Sequence, residues 1–233
     1  MELSEQIVVS FDLDFTLIDN REGIIDSFKH AFRTFGIDPL QDSLLEQTIG
    51  EPLHAVFNRL TYRDPVKMVT SFREYYRKKG VYQVQLYDGV IEVLTKLEDA
   101  GIKMGIVTSK KRELAIKLLQ HLEIYHFFEF VCGETDVIKS KTDPRLMQFF
   151  HTRFPPHTYN YLIVGDHLSD KQLAEMLQCP FIGVLTGQQT RKTLQSGSSL
   201  NIEVIPHISE LSLELIRKII KDVISNLKMS RYQ

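Results

Sequence analysis

The 233-residue chain carries 43% hydrophobic and 25% charged residues at a formal net charge of −2. That is too apolar for a disordered chain, and it lacks the basic excess that binding to nucleic acid or an anionic membrane surface requires. Cys132 and Cys179 stand apart, without zinc-ligand or disulfide spacing, and the polar first residues and short apolar runs give neither a leader nor a membrane span, so a cytoplasmic protein is expected.

In chain order, residues 7–11 form a short apolar, β-branched run that reads as a buried strand. Ile24, Phe28, Ala31 and Phe35 then recur at helical spacing, and Val69, Phe72 and Tyr76 do so again. The next clear strand, residues 102–107, begins about 90 residues after the first, whereas a simple crossover unit takes roughly 30. An insertion is therefore expected: a helical cap at residues 20–85, interrupting a core of residues 1–19 and 86–233. Asp88 is placed to cap a helix bearing Val90, Val93, Leu94 and Leu97 that Gly101 ends, and Ala115, Leu118, Leu119 and Leu122 mark another. Further strands are expected at residues 127–131, 161–164 and 181–184, then a polar loop over residues 188–201. An amphipathic helix opening at Ser209 and carrying Leu211, Leu215, Ile219 and Val223 closes the chain. Strands alternating with helices predict an α/β fold, a Rossmann-like parallel sheet core with an inserted α-helical cap.

Four segments place polar groups at the carboxyl ends of predicted strands, the edge where ligands bind in open α/β sheets. In Phe11-Asp12-Leu13-Asp14-Phe15-Thr16-Leu17, two carboxylates follow a hydrophobic strand with one residue between them. One can attack phosphorus while the other protonates a leaving oxygen and later activates water, although solvated loop acids are the plain alternative. In Gly105-Ile106-Val107-Thr108-Ser109-Lys110, the hydroxyls could donate to a phosphoryl oxygen, or Ser109 could cap a helix. In Lys139-Ser140-Lys141-Thr142-Asp143-Pro144, Asp143 and Pro144 read as helix N-cap and first helical residue, which leaves Lys141 just ahead of the helix as a cation for a developing phosphoryl charge. The last segment, residues 161–170, ends in Asp166 with Asp170 four residues on. Magnesium prefers carboxylate oxygen, so Asp12 and Asp166 could hold it, while His167 is a poor ligand for so hard an ion. Asp170 could orient a ligand or cap the following helix.

These four segments in this order resemble the haloacid dehalogenase superfamily, in its phosphatase branch with a helical cap after the first motif, over nearly the whole chain. The resemblance implies Asp12 as nucleophile and Asp14 as general acid/base that also lends its backbone carbonyl to Mg2+. It implies Thr108, Ser109 and Lys141 as the phosphate-binding groups, with Lys139 competing for the place of Lys141. Asp166 then completes the metal site with Asp12 and Asp14, and Asp170 supports it. Two departures stand out: Phe15 replaces a common glycine, and Gln178-Cys179 replaces Ala-Gly. Within the cap, the segment from Ile49 to Leu53, and Arg73 with its neighbours, resemble phosphoglycolate phosphatase-like and nucleotidase-like members, though a plain interhelical turn accounts for the former equally well.

The expectation is a Mg2+-dependent phosphoric monoester hydrolase acting on small phosphorylated metabolites, phosphoglycolate- or nucleotide-like, through an aspartyl-phosphate. It would work as a monomer or homodimer, with the cap as a lid. A dehalogenase would need neither Asp14 nor a metal. A sugar phosphomutase would be expected to carry a histidine where Ile24 stands, and an inactive binding protein has only Phe15 in its favour.

Overall fold

The computed structural model describes residues 6–49, 51–135, 137–198 and 200–229, with side chains described to residue 223. The chain divides into two compact units, one of Met1–Leu17 with Leu86–Gln233 and one of Ile18–Gln85.

The first unit holds a six-stranded sheet in the order β5-β4-β1-β6-β7-β8, formed by β1 (Gln6–Phe11), β4 (Lys103–Lys111), β5 (Phe130–Glu134), β6 (Tyr159–Gly165), β7 (Phe181–Val184) and β8 (Ile202–Ile205). Every pairing is parallel. Parallel strands need crossovers, and α5 (Val90–Asp99), α6 (Arg112–His121), α7 (Pro144–Arg153), α8 (Leu168–Leu177), α9 (Arg191–Gln195) and α10 (Leu213–Met229) alternate with them. Because β1 lies between β4 and β6, the chain winds outward on one side and then on the other, leaving the carboxyl ends of β1 and β6 at the reversal where such sheets bind ligands.

One face of the sheet is sealed by Phe130, Phe150, Phe154, Tyr161 and Phe181 with Leu146, Leu173 and Leu177 of α7 and α8. Phe150 meets Phe130 nearly edge-on at 5.6 Å and Tyr161 at 5.5 Å. Rings at such separations add to the gain from area burial alone. The Tyr161 hydroxyl donates to the Phe154 carbonyl, which satisfies the one polar atom this aromatic set buries.

The second unit contains α1 (Arg21–Thr34), α2 (Asp42–Glu46), α3 (Leu53–Leu60) and α4 (Pro65–Lys78); β2 (Ile18–Asp19) and β3 (Gln85–Leu86), whose first residue closes this unit, form a two-stranded ribbon. Its core joins Ile25, Phe28, Ala31, Phe32, Leu45, Val56, Phe57, Met68 and Phe72. The helical period is as expected, but the α1 stripe is turned by one position: Ile25 and Phe32 are buried, and Ile24 and Phe35 flank them. Asp64 accepts from the backbone N–H of Val66 and caps α4 with Pro65 in its first turn. Gly50, in the segment likened to phosphoglycolate phosphatases, lies outside the described residues. Beside it, Glu51 accepts from both terminal guanidinium nitrogens of Arg59, Nη1 and Nη2, at 2.7 and 2.9 Å.

Four expectations are corrected. Asp88 does not cap α5: Gly89 occupies the N-cap at φ 81°, a left-handed conformation that glycine adopts freely. The strand expected at residues 127–131 is β5, three residues later, because the first apolar residues form a 3-10 turn at Tyr125–Phe127. The polar stretch 188–201 is not all loop but carries α9, capped by Thr190, and leads into β8. The last helix begins at Leu213, with Ser212 rather than Ser209 accepting a first-turn N–H, from Leu215.

Phe150 is fully buried between the sheet and α7. Phe150→Ala is expected to lower unfolding free energy by about 3–5 kcal/mol, read as a lower urea midpoint with an unchanged denaturant slope.

Candidate active site

β1 ends at Phe11, and the Asp12 N–H extends the β1–β6 pairing by donating to the Val164 carbonyl at 2.9 Å. This fixes Asp12 beside the end of β6, where Gly165 and Asp166 follow. The chain then turns, with the N–H of Leu17 donating to the Leu13 carbonyl at 3.0 Å. Phe15 takes φ 61° in this turn. A bulky residue in that region costs about 1–3 kcal/mol and survives only where its surroundings hold it.

Lys141, just ahead of α7, is buried to 4% exposure and bonds Asp12 Oδ1 at 2.6 Å and Asp170 Oδ1 at 2.5 Å. Asp143 caps α7 through the Arg145 N–H, with Pro144 in the first turn, so the helix start holds the lysine in place. Lys139 is exposed. Asp166 accepts from the Thr16 hydroxyl at 3.2 Å. Asp12, Asp166 and Asp170 offer carboxylate oxygens that all lie within 4.8 Å of one another. Asp170 serves both of its expected roles: Oδ1 meets Lys141 and Oδ2 accepts the His167 N–H at 3.1 Å, completing a capping box at the start of α8. His167 is the N-cap itself, accepting from the Ser169 N–H.

The charges are unbalanced. Burial raises the Asp12 pKa, the Lys141 cation opposes this, and Asp170 adds to it. Asp166 is pushed up to about 8 by burial and then by Asp12 and Asp170. Burial works against the Lys141 charge, yet its two carboxylates outweigh that penalty and raise its pKa. Burial also raises Asp14, against the pull of Lys110.

Lys110 is a site residue to which the sequence reading gives no role. Its Nζ lies 3.1 Å from Asp14 Oδ2, with the lysine side chain 8% exposed. β4 runs on through Lys111, and side chains two apart on a strand share a side, so the spacing of Lys110 from Thr108 was the available signal. Thr108 is buried, and its Oγ1 accepts the Lys110 N–H at 3.2 Å, which leaves its own proton free to donate elsewhere. Ser109 is exposed, and among the described contacts its side chain reaches none of these carboxylates.

Residues 9–184 match the family model for haloacid dehalogenase-like hydrolases. The chain belongs to that family. It is 34% identical over 164 residues to pyrophosphatase PpaX of Halalkalibacterium halodurans, covering 70% of this chain and 75% of that one. It is 30% identical over 170 residues to the tyrosine-protein kinase PtkA of Mycobacterium tuberculosis, covering 72% of this chain but 57% of that protein. A haloacid dehalogenase-like hydrolase from Streptococcus pneumoniae shares the fold at a TM-score of 0.75 and 24% identity, over 92% of this chain and 98% of that one. The protein is thus an enzyme, a phosphoric monoester hydrolase of this phosphatase family. No helix among the described residues is long and apolar enough to cross a membrane.

The raised Asp166 pKa carries a signed prediction. In the unfolded chain this carboxyl ionises near about 4, whereas in the folded one it holds its proton to about 8. Its stabilising contribution is therefore complete below about pH 4 and lost as pH rises through about 8. With divalent cations chelated, the melting temperature of Asp166→Asn relative to wild type should climb between about pH 5 and 8. A difference that stays flat across that range contradicts the assignment.

Proposed function

We propose that the protein hydrolyses small phosphomonoesters through an aspartyl-phosphate on Asp12, with Mg2+ as cofactor. The reading is carried by one observation: a buried lysine bonded to Asp12 beside a second aspartate, Asp14, that is held apart by its own lysine.

The donor set suits the metal. Asp12 and Asp166 present carboxylate oxygen, the ligand Mg2+ favours, and their oxygens lie with those of Asp170 within 4.8 Å of one another. Asp12, Asp166 and the Asp14 carbonyl would hold the ion, with Asp170 kept on Lys141 beside it. When bound, the ion supplies charge neutralisation and orientation for the phosphoryl group.

An Asp12 oxygen attacks phosphorus, an O–P bond forms, and the bond to the leaving oxygen breaks. Asp14, whose pKa burial raises against the pull of Lys110, passes its proton to that oxygen, and the alcohol departs. Lys141 and Thr108 hold the non-bridging oxygens as charge spreads across them. The Asp14 carboxylate then takes a proton from water, the resulting hydroxide attacks phosphorus, and cleavage of the Asp12–phosphate bond releases inorganic phosphate and restores the aspartate. Lys110 is placed to return Asp14 to the same orientation after each transfer.

Asp12→Asn should abolish turnover while circular dichroism stays that of the wild type, because an amide neither attacks phosphorus nor completes the metal site. Retention of more than a few per cent of activity overturns the nucleophile assignment. Lys141→Ala should lower kcat by roughly 100-fold or more, whereas exposed Lys139→Ala should be nearly silent in the same steady-state assay. The pyrophosphatase and phosphatase relatives set the order of the substrate screen: inorganic pyrophosphate first, then phosphoglycolate, nucleoside monophosphates and sugar phosphates, each with and without Mg2+.

A further inference from the structure

Thr186 and Gly187, in the segment just after β7, have no role in the chemistry above, yet both abut it. The Thr186 hydroxyl donates to the backbone carbonyl of Phe15, the residue at φ 61° between Asp14 and Thr16. Thr186 is buried, at 9% exposure, and Phe15 is half-buried. At Gly187, a Cβ would overlap Asp166 Oδ2 and stand 2.7 Å from its Cγ; the carboxylate occupies the space a side chain would need. The other Asp166 oxygen accepts from the Thr16 hydroxyl, at 3.2 Å. Two adjacent residues thus touch the strained turn and the far side of the carboxylate that the turn also holds.

We propose that Thr186 and Gly187 act together as a positioning latch, Thr186 holding the left-handed turn that aims Asp14 and Thr16, and Gly187 admitting Asp166 to its place beside Asp12. The inference rests on the phosphohydrolase reading for the roles of Asp14 and Asp166.

Backbone strain is what the latch works against. Left alone, Phe15 would relax toward the ordinary φ region, and the peptides on either side of it would rotate. Asp14 precedes Phe15 and Thr16 follows it, so relaxation would move the general acid and release one tether of Asp166 together. A hydroxyl on the Phe15 carbonyl opposes that rotation directly. A glycine in place of Phe15 would need no such restraint, because it adopts positive φ freely. The threonine is therefore expected to matter because residue 15 is phenylalanine.

That dependence supplies the test, run on purified variants of the 233-residue chain. Thr186→Val keeps the branched shape and removes the donor. It should lower kcat about three- to tenfold, the scale of one neutral hydrogen bond, with KM within about twofold, and Thr186→Ser should restore most of the loss. In a Phe15→Gly background the same Thr186→Val change should cost less than about twofold. Gly187→Ala should weaken Mg2+ binding to the substrate-free protein by about tenfold or more, measured by titration calorimetry, as losing support around a metal-binding carboxylate commonly does. Equal losses from Thr186→Val in the wild-type and Phe15→Gly backgrounds overturn the latch. So does a Thr186→Val variant that melts earlier but keeps wild-type kcat, or a Gly187→Ala variant with wild-type metal affinity. Failure of the phosphohydrolase reading looks different: wild-type protein would then turn over none of the phosphate compounds, whatever residue 186 is.

Discussion

Lys141 lies buried between Asp12 and Asp170 and brings one positive charge to a place where three carboxylates gather. Two carboxylates 4.8 Å apart repel by on the order of 3 kcal/mol at an effective dielectric near 20. No cation among the described ion pairs reaches Asp166, and burial, then the Asp12 and Asp170 charges, raises its proton affinity. A folded domain has only about 5–15 kcal/mol of net stability to set against such repulsion. The arrangement therefore makes physical sense as a receptor for added positive charge. Protons supply it in the metal-free protein, and a divalent cation would supply it at neutral pH while leaving the carboxylates ionised and nucleophilic.

The topology explains how residues so distant in sequence meet. Thr16 and Asp166 are separated by 150 positions, yet they lie within hydrogen-bond reach because β1 and β6 are parallel neighbours in register from Gln6–Tyr159 to Phe11–Val164. In an antiparallel pair the ends following Phe11 and Val164 would lie at opposite edges. Parallel pairing puts both on one edge and adds the end of β4, which carries Thr108 and Lys110. Rigid strands thus set the positions of the charges, and the short turns that follow the strands set their directions.

Much of this could be read from the residues because it depends on local pattern. Buried parallel strands are continuous apolar runs, and Asp143-Pro144 is a helix start wherever it stands in a fold, so β1, β6, α7 and the place of Lys141 followed from short windows. The misreadings share a cause as well. Gly89 caps α5 through a backbone conformation that no neighbouring side chain advertises, and β8 is a four-residue edge strand with only Val204 and Ile205 buried. Lys110 escapes a local reading because its meaning depends on how far β4 continues, and an exposed Ser109 followed by two lysines looks like a strand that has already ended. Thr186 lies further still from view, since a hydroxyl bonded to one strained carbonyl 171 positions away leaves no periodic trace.

Asp170 shows how closely folding and chemistry share their groups. One oxygen steadies Lys141 and the other closes the capping box of α8, so the helix start and the charge network depend on a single side chain. Gly165 follows from the same crowding: a Cβ there would overlap the Asp170 carboxylate and stand 2.6 Å from its Cβ. The glycine before Asp166 is thus required by the side chain five residues later rather than by backbone conformation, since it ends a regular strand. Substituting it would push on Asp170, loosen the cap of α8 and release Lys141 toward Asp12 in one movement. The spacing Gly165-Asp166 to Asp170 is therefore one packing unit, in which the first helical turn brings the second acid back over the strand end and the missing side chain leaves it room.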